Sequence, residues 1–195
     1  MTLRPDLYLC LRVATVAGCI ALSPIATDAQ DTSAQKMDEG SSNMLKSTDT
    51  AFAMKAAQGG VAEVQMGKMA AEKASSPDVK AFGRQMVDDH TKANDDLNSV
   101  AEKKRMTLPT DMNAHQQDSY SKLRRLSRDE FDRAYVKDMV KDHEEDVKEF
   151  QKEANKGKDD DIKGFASRTL PVLQQHLDKI KSIRSNIQQK GSSTK

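Results

Sequence analysis

The chain has 195 residues, with 31 Lys and Arg against 30 Asp and Glu and a net charge of +1 when histidine is neutral. So even a balance excludes the concentrated positive charge on which nucleic-acid binding rests, and it implies no strongly charged partner surface. Aromatic residues are 4% of the chain and Trp is absent, while Ala, Lys, Asp, Gln and Met abound, a composition that favours helix over sheet.

The first residues read as an address. "MTLRPDLYLCLR" is weakly basic, "VATVAGCIALSPIA" is an apolar run of signal-peptide length, and Thr27 and Ala29 offer small residues for cleavage before Gln30. The run is too short and too close to Arg12 for a transmembrane anchor. "VAGC", ending at Cys19, admits lipoprotein processing as an alternative, but the apolar run continues past the cysteine. The expectation is soluble export by a bacterium to the periplasm or outer envelope, with residues 1–29 as signal peptide. Both cysteines, Cys10 and Cys19, lie in that segment, so the mature chain lacks thiols and with them disulfides and thiolate metal sites. Arg4, Arg12, Asp6 and Asp28 leave together, and the charge stays at +1.

Residues 30–48 are polar and read as a disordered linker, 49–187 as one domain with a core of its own, and 188–195 as a disordered tail. The first helix is expected from about Asp49 to Ala74, with Phe52, Ala56, Gly59, Glu63, Met66, Ala70 and Ala74 on one face. Gly59 and Gly60 in its middle cost about 1 kcal/mol each against Ala, which implies close approach of another helix beside Glu63. "SSPD" opens the second helix, with Ser76 as cap and Pro77 at the first helical position. Its apolar face is Val79, Phe82, Met86, His90, Ala93, Leu97 and Val100.

The third long helix begins at "LSRDEF", where Ser127 and Glu130 fit a capping box and Leu126 can staple onto Phe131. Phe131, Tyr135, Met139, His143, Val147, Phe150 and Ala154 follow on one face, and "NKG" at 155–157 supplies a stop. The fourth, capped by Asp159 or Asp160, buries Ile162, Phe165, Thr169, Val172, His176, Ile180 and Ile183, and Pro171 is expected to bend it. Short links make two antiparallel hairpins, and a crossover from Lys103 to Leu126, carrying a short helix in "DMNAHQQDSYSKLRRL", joins them. The fold class is all-α: a ferritin-like four-helix bundle with a long crossover between helices 2 and 3.

Each stripe carries near its middle one group able to bind a cation: Glu63, His90, His143 and His176. Two of the histidines sit in an echo, "MVDDH" at 86–90 and "MVKDH" at 139–143. Mid-height groups of a bundle share one layer whichever way the helices run, and three imidazoles with a carboxylate suit zinc, copper or iron. Each histidine taken singly is more often a core residue bonded to a neighbour, and Glu63 with one imidazole makes a simple buried pair. Asp89 and Asp142, one residue before each repeated histidine, fit partners of an imidazole or solvent-facing groups. Met86 and Met139 read as core filling and His115 as a surface residue.

"AAQGGVAEVQMGKMAAEKA", "VKAFGRQMVDDHTKANDDL", "FDRAYVKDMVKDHEEDVKEF" and "FASRTLPVLQQHLDKI" resemble a bacterial exported family, domain-of-unknown-function family 4142, of the ferritin-like superfamily. The resemblance spans about Asp49 to Ile187 and implies the fold, not a role. The Glu-x-x-His pattern of di-iron ferritins is missing, since Val87, Val140 and Leu173 stand three residues before the histidines, and this argues against ferroxidase chemistry. The leading expectation is a periplasmic bundle that buffers, carries or senses a transition metal. The alternative is an envelope interaction or stress-response protein with an envelope protein partner and structural histidines. A pH-sensing histidine layer is a further reading, and an enzyme ranks last because no substrate channel is legible. Partner and oligomeric state stay open.

Overall fold

The computed structural model describes residues 32–192, with side chains from residue 48 to residue 189. The expected signal segment, with Cys10 and Cys19, lies outside the described residues. Five helices follow in chain order: α1 (Thr32–Lys73), α2 (Pro77–Lys104), α3 (Ala114–Arg125), α4 (Arg128–Lys156) and α5 (Asp160–Ser192). No strand occurs among the described residues, and no helix there is long and apolar enough to cross a membrane.

The four long helices form a ferritin-like bundle. α1 packs along α2 and α4 along α5, while α2 meets α5 and α1 meets α4 across the core. Contacts run in opposite directions within each pair: Gly67 meets Gly83 and Gly60 meets Asn94, and Phe150 meets Phe165 while Glu144 pairs with Lys181. Both hairpins are therefore antiparallel, and the crossover carrying α3 joins them. A capping box at Asn113 and Gln116 starts α3.

α1 begins at Thr32, upstream of the Asp49 start inferred from its stripe. A stripe reports where a helix is buried rather than where it begins, and Phe52 and Ala53 are among the first buried residues. Likewise α5 continues through Pro171 and past Ile187 to Ser192. Within the stripes, Val172 is half-buried and Leu173 takes the core position. Gly59 is not a point of close approach, since a Cβ there would meet nothing within 4 Å. Gly60 is, because its Cβ would lie 1.9 Å from Asn94 Oδ1. Gly67 and Gly83 bring α1 and α2 closer still, each facing the other's carbonyl oxygen at under 3 Å from a built Cβ, at 2.8 and 2.7 Å.

The helix starts are held largely across the bundle. Ser76 and Ser127 occupy N-cap positions but make no side-chain cap, so the box inferred at Ser127 and Glu130 is absent. Instead the buried carboxylate of Asp132, on α4, accepts the backbone N–H groups of Ser75 (3.0 Å) and Ser76 (2.7 Å) in the α1–α2 turn. At the opposite end, buried Asp49 on α1 accepts from the backbone of Lys158 (2.8 Å) and Asp159 (2.6 Å) in the α4–α5 turn. Asp159 in turn caps α5 by accepting from Asp161 and Ile162, both at 3.1 Å. Each hairpin's turn is thus tied by an aspartate of the other hairpin, and such charge-assisted bonds are the strong ones.

Two apolar clusters fill the core. One holds Met66, Phe82, Met86, Phe131, Tyr135 and Met139; the other Phe52, Leu97, Phe150, Ile162, Phe165 and Leu173. The methionines beside the repeated histidines, Met86 and Met139, pack in the first cluster as core filling. Between the two clusters lies the polar layer.

Candidate metal centre

α1 supplies Glu63, α2 His90, α4 His143 and α5 His176, one group per long helix, and all four are buried. The structure brings the three histidines together: ring centroids lie 5.9 Å (His90–His143), 5.3 Å (His90–His176) and 5.4 Å (His143–His176) apart. One nitrogen from each falls within 4.8 Å of the others. Helix faces explain the convergence, since each histidine continues its own helix's apolar stripe and the stripes meet at the bundle axis.

Each imidazole uses one nitrogen and leaves the other without a partner. His143 Nδ1 donates to the Met139 carbonyl oxygen at 3.0 Å, and because a carbonyl only accepts, the proton sits on Nδ1. His176 Nε2 is 2.8 Å from Asp89 Oδ2, and His90 Nδ1 is 2.9 Å from Glu63 Oε2. The opposite nitrogens, His90 Nε2, His143 Nε2 and His176 Nδ1, are buried with no hydrogen-bond partner, and so is Glu63 Oε1. Glu63 Oε1 lies 3.6 Å from His143 Nε2. Leaving a buried polar atom unpartnered costs roughly 1–3 kcal/mol, so this layer is expensive as it stands.

Burial disfavours the charged form of every group here. It pushes His90 down to about 4 and His143 down to about 3, with the neighbouring His90 and His176 pressing His143 the same way. His176 is lowered by burial in spite of its bond to Asp89. Burial and the charge of Asp142 raise Glu63 well above the usual carboxylate range. For Asp89, burial pulls upward, but the hydrogen bonds with His176 and Gln85 and the charges of His176 and His90 together outweigh it and the carboxyl is lowered. The imidazoles are therefore neutral at neutral pH, with lone pairs free on the unpartnered nitrogens.

The echoed pentapeptides play different parts. Asp89 orients His176 and is itself held by Gln85 at 3.2 Å, while Gln85 accepts from Lys179 at 2.6 Å. Asp142, its counterpart, instead joins Glu63 and Asp146 in a second group whose oxygens lie within 4.8 Å of one another. Asp146 is absent from the sequence reading although a signal exists: Asp142 and Asp146 stand four apart, on one face of α4. The buried, unpartnered hydroxyl of Tyr135 also went unread, because its ring belongs to an ordinary stripe. His115 is exposed, as expected.

Comparison with known families decides kinship. Residues 34–183 match a domain of unknown function, DUF4142. The chain belongs to this family. No curated protein matches it. Among solved structures it is similar to a DUF305 fragment from Deinococcus radiodurans, with a TM-score of 0.63 at 7% identity over 71% of this chain and 96% of that one. CopM in its Cu(II)-bound form superposes with a TM-score of 0.61 at 15% identity, over 71% of this chain and 96% of CopM. A conserved hypothetical protein from Mycobacterium tuberculosis gives 0.56 at 15% identity, over 72% and 93% of the two chains. At these identities the likeness is one of fold.

Proposed function

We propose that this DUF4142 protein is exported to the bacterial envelope and binds a transition-metal ion in its core, to buffer, carry or sense it. His90 Nε2, His143 Nε2 and His176 Nδ1 are the ligand atoms, and the Glu63 carboxylate beside them holds His90 through Oε2. One observation carries the reading: one nitrogen of each histidine stands against a carboxylate or carbonyl while the other is buried and unpartnered. That is how a protein fixes the tautomer and orientation of a metal-binding imidazole.

Distances favour the same conclusion. Ligand atoms around a four-coordinate ion with bonds of about 2.0–2.1 Å stand roughly 3.3–3.4 Å apart. One nitrogen of each histidine already lies within 4.8 Å of the others, so an inward adjustment brings three imidazoles onto one ion. Three neutral imidazoles with one carboxylate suit copper, zinc or iron. CopM was solved with Cu(II) bound, which makes copper the first ion to try. Export rests on the signal-like segment 1–29.

The test is dialysis of purified protein against Cu(II) or Zn(II), followed by elemental analysis. About one equivalent per chain is expected, with loss of binding in the double variant His90→Ala/His143→Ala. Unchanged uptake by that variant would end the proposal.

A further inference from the structure

We propose a second cation site in the same bundle, made only of oxygen donors: the carboxylates of Glu63, Asp142 and Asp146. It shares Glu63 with the histidine centre, and only that sharing rests on the function proposed above.

The three carboxylates each bring an oxygen within 4.8 Å of the other two. Glu63 is 2% exposed and its Oε1 has no hydrogen-bond partner. Asp142 and Asp146 are half-buried. No lysine or arginine among the described residues forms an ion pair with any of them. Lys55, whose charge reaches Asp146, is engaged with Glu149 at 3.5 Å, and Lys141 points to Glu145 at 3.8 Å. Carboxylates this close repel one another where water is scarce. A divalent cation between them reverses the sign of the interaction.

The surroundings give a cation a way in. Asp142 lines a cavity of about 250 Å³ beneath the start of α3, whose wall carries Asp138 and Glu145 together with Lys55 and Lys141. On the inner side, Glu63, Asp146 and His90 line a space of about 20 Å³ closed by Gly60 and Asn94, about the volume one water or ion needs. The carboxylates therefore stand between a polar cavity and the imidazole layer. Oxygen-only donors favour harder ions than the imidazoles do, so the two sites differ in preference.

Mn(II) is the probe, because its electron paramagnetic resonance signal falls on binding. Wild-type protein is expected to bind Mn(II), His143→Ala to bind it within about threefold of wild type, and Asp142→Asn/Asp146→Asn at least tenfold more weakly. Asp146→Asn alone, checked for helical content, covers the case in which the double variant does not fold. No Mn(II) binding by wild type, or binding indifferent to both aspartates, overturns the site. A parallel Zn(II) titration separates the two proposals: zinc binding indifferent to the histidines with manganese retained sinks the histidine centre alone, and the converse sinks this site alone.

Discussion

The buried polar groups at the ends of the bundle and those in its middle are built to opposite rules. Asp132 at one end and Asp49 at the other are both buried, and each carboxylate takes two backbone N–H groups from the opposite hairpin. Those groups are finished within the protein. In the middle, Glu63, His90, His143 and His176 are as deeply buried, yet each keeps one atom without a partner, and together they supply four of the six such atoms among the described residues. Of the other two, Glu153 lines an open surface cavity, and Tyr135 is buried within electrostatic reach of Glu63. Burial with complete pairing locks the hairpins together; burial with unpartnered atoms is what supports the proposed metal centre.

The contrast can be broken by substitution. The largest effect expected is on metal binding: His90→Ala/His143→Ala should weaken Cu(II) or Zn(II) by at least about 100-fold, near 2.7 kcal/mol, in a competition titration. The same change removes buried ring volume and leaves Glu63 Oε2 without its partner, so ion-free protein should also lose roughly 2–5 kcal/mol, and affinity is compared per folded chain.

Asp132→Ala should act on the fold alone. It strips two charge-assisted bonds from the α1–α2 turn and should destabilise the fold by roughly 1–3 kcal/mol in denaturant melts, with metal affinity per folded chain unchanged. If Asp132→Ala proved harmless, the clamp would be ornamental.

Acid separates the regions further. His90 and His143 titrate at about 4 and about 3 in the folded protein, against about 6.5 in an unfolded chain. Between these limits the unfolded chain holds more protons. Ion-free protein should therefore lose stability as pH falls from about 6.5 toward 4, by up to roughly 1.4 kcal/mol per pH unit for each imidazole. Glu63 acts with the opposite sign, because its raised value gives stability that is present at low pH and lost as pH rises through the folded value. Melts with and without chelator should diverge at pH 7 and converge below about 5, where protons displace the ion. Identical curves at pH 7 would favour a pH sensor over a metal site.

The smallest effect should come from Glu63→Gln. Removing a buried carboxylate that neighbours Asp142 should stabilise ion-free protein at neutral pH by about 1 kcal/mol, raising Tm by some 2–4 °C, while weakening metal binding. Lower ion-free stability in this variant would mean that Glu63 serves the fold first.

Much of this was legible in the sequence because helical period is a local property. Stripes at spacings of three and four placed Glu63, His90, His143 and His176 on inward faces, and near-equal helix lengths brought them to one level. What was not legible depends on how one helix is rotated against another. Asp89 and Asp142 occupy equivalent places in their pentapeptides, yet one reaches His176 and the other faces Glu63. Gly60, Gly67 and Gly83 mark close approach while Gly59 does not, a difference of one residue and about 100° of turn. The clamps at Asp49 and Asp132 span residues more than 50 apart, beyond what a local reading of the N-cap residues Ser76 and Asp159 reaches.

The most direct measurement is nitrogen-15 NMR of the imidazoles, in ion-free protein and after one equivalent of diamagnetic Zn(II). Protons are expected on Nδ1 of His90, Nδ1 of His143 and Nε2 of His176 before and after addition, with His90 Nε2, His143 Nε2 and His176 Nδ1 shifting together as zinc binds. Protons on those three nitrogens at neutral pH, or spectra unmoved by zinc, would contradict the account.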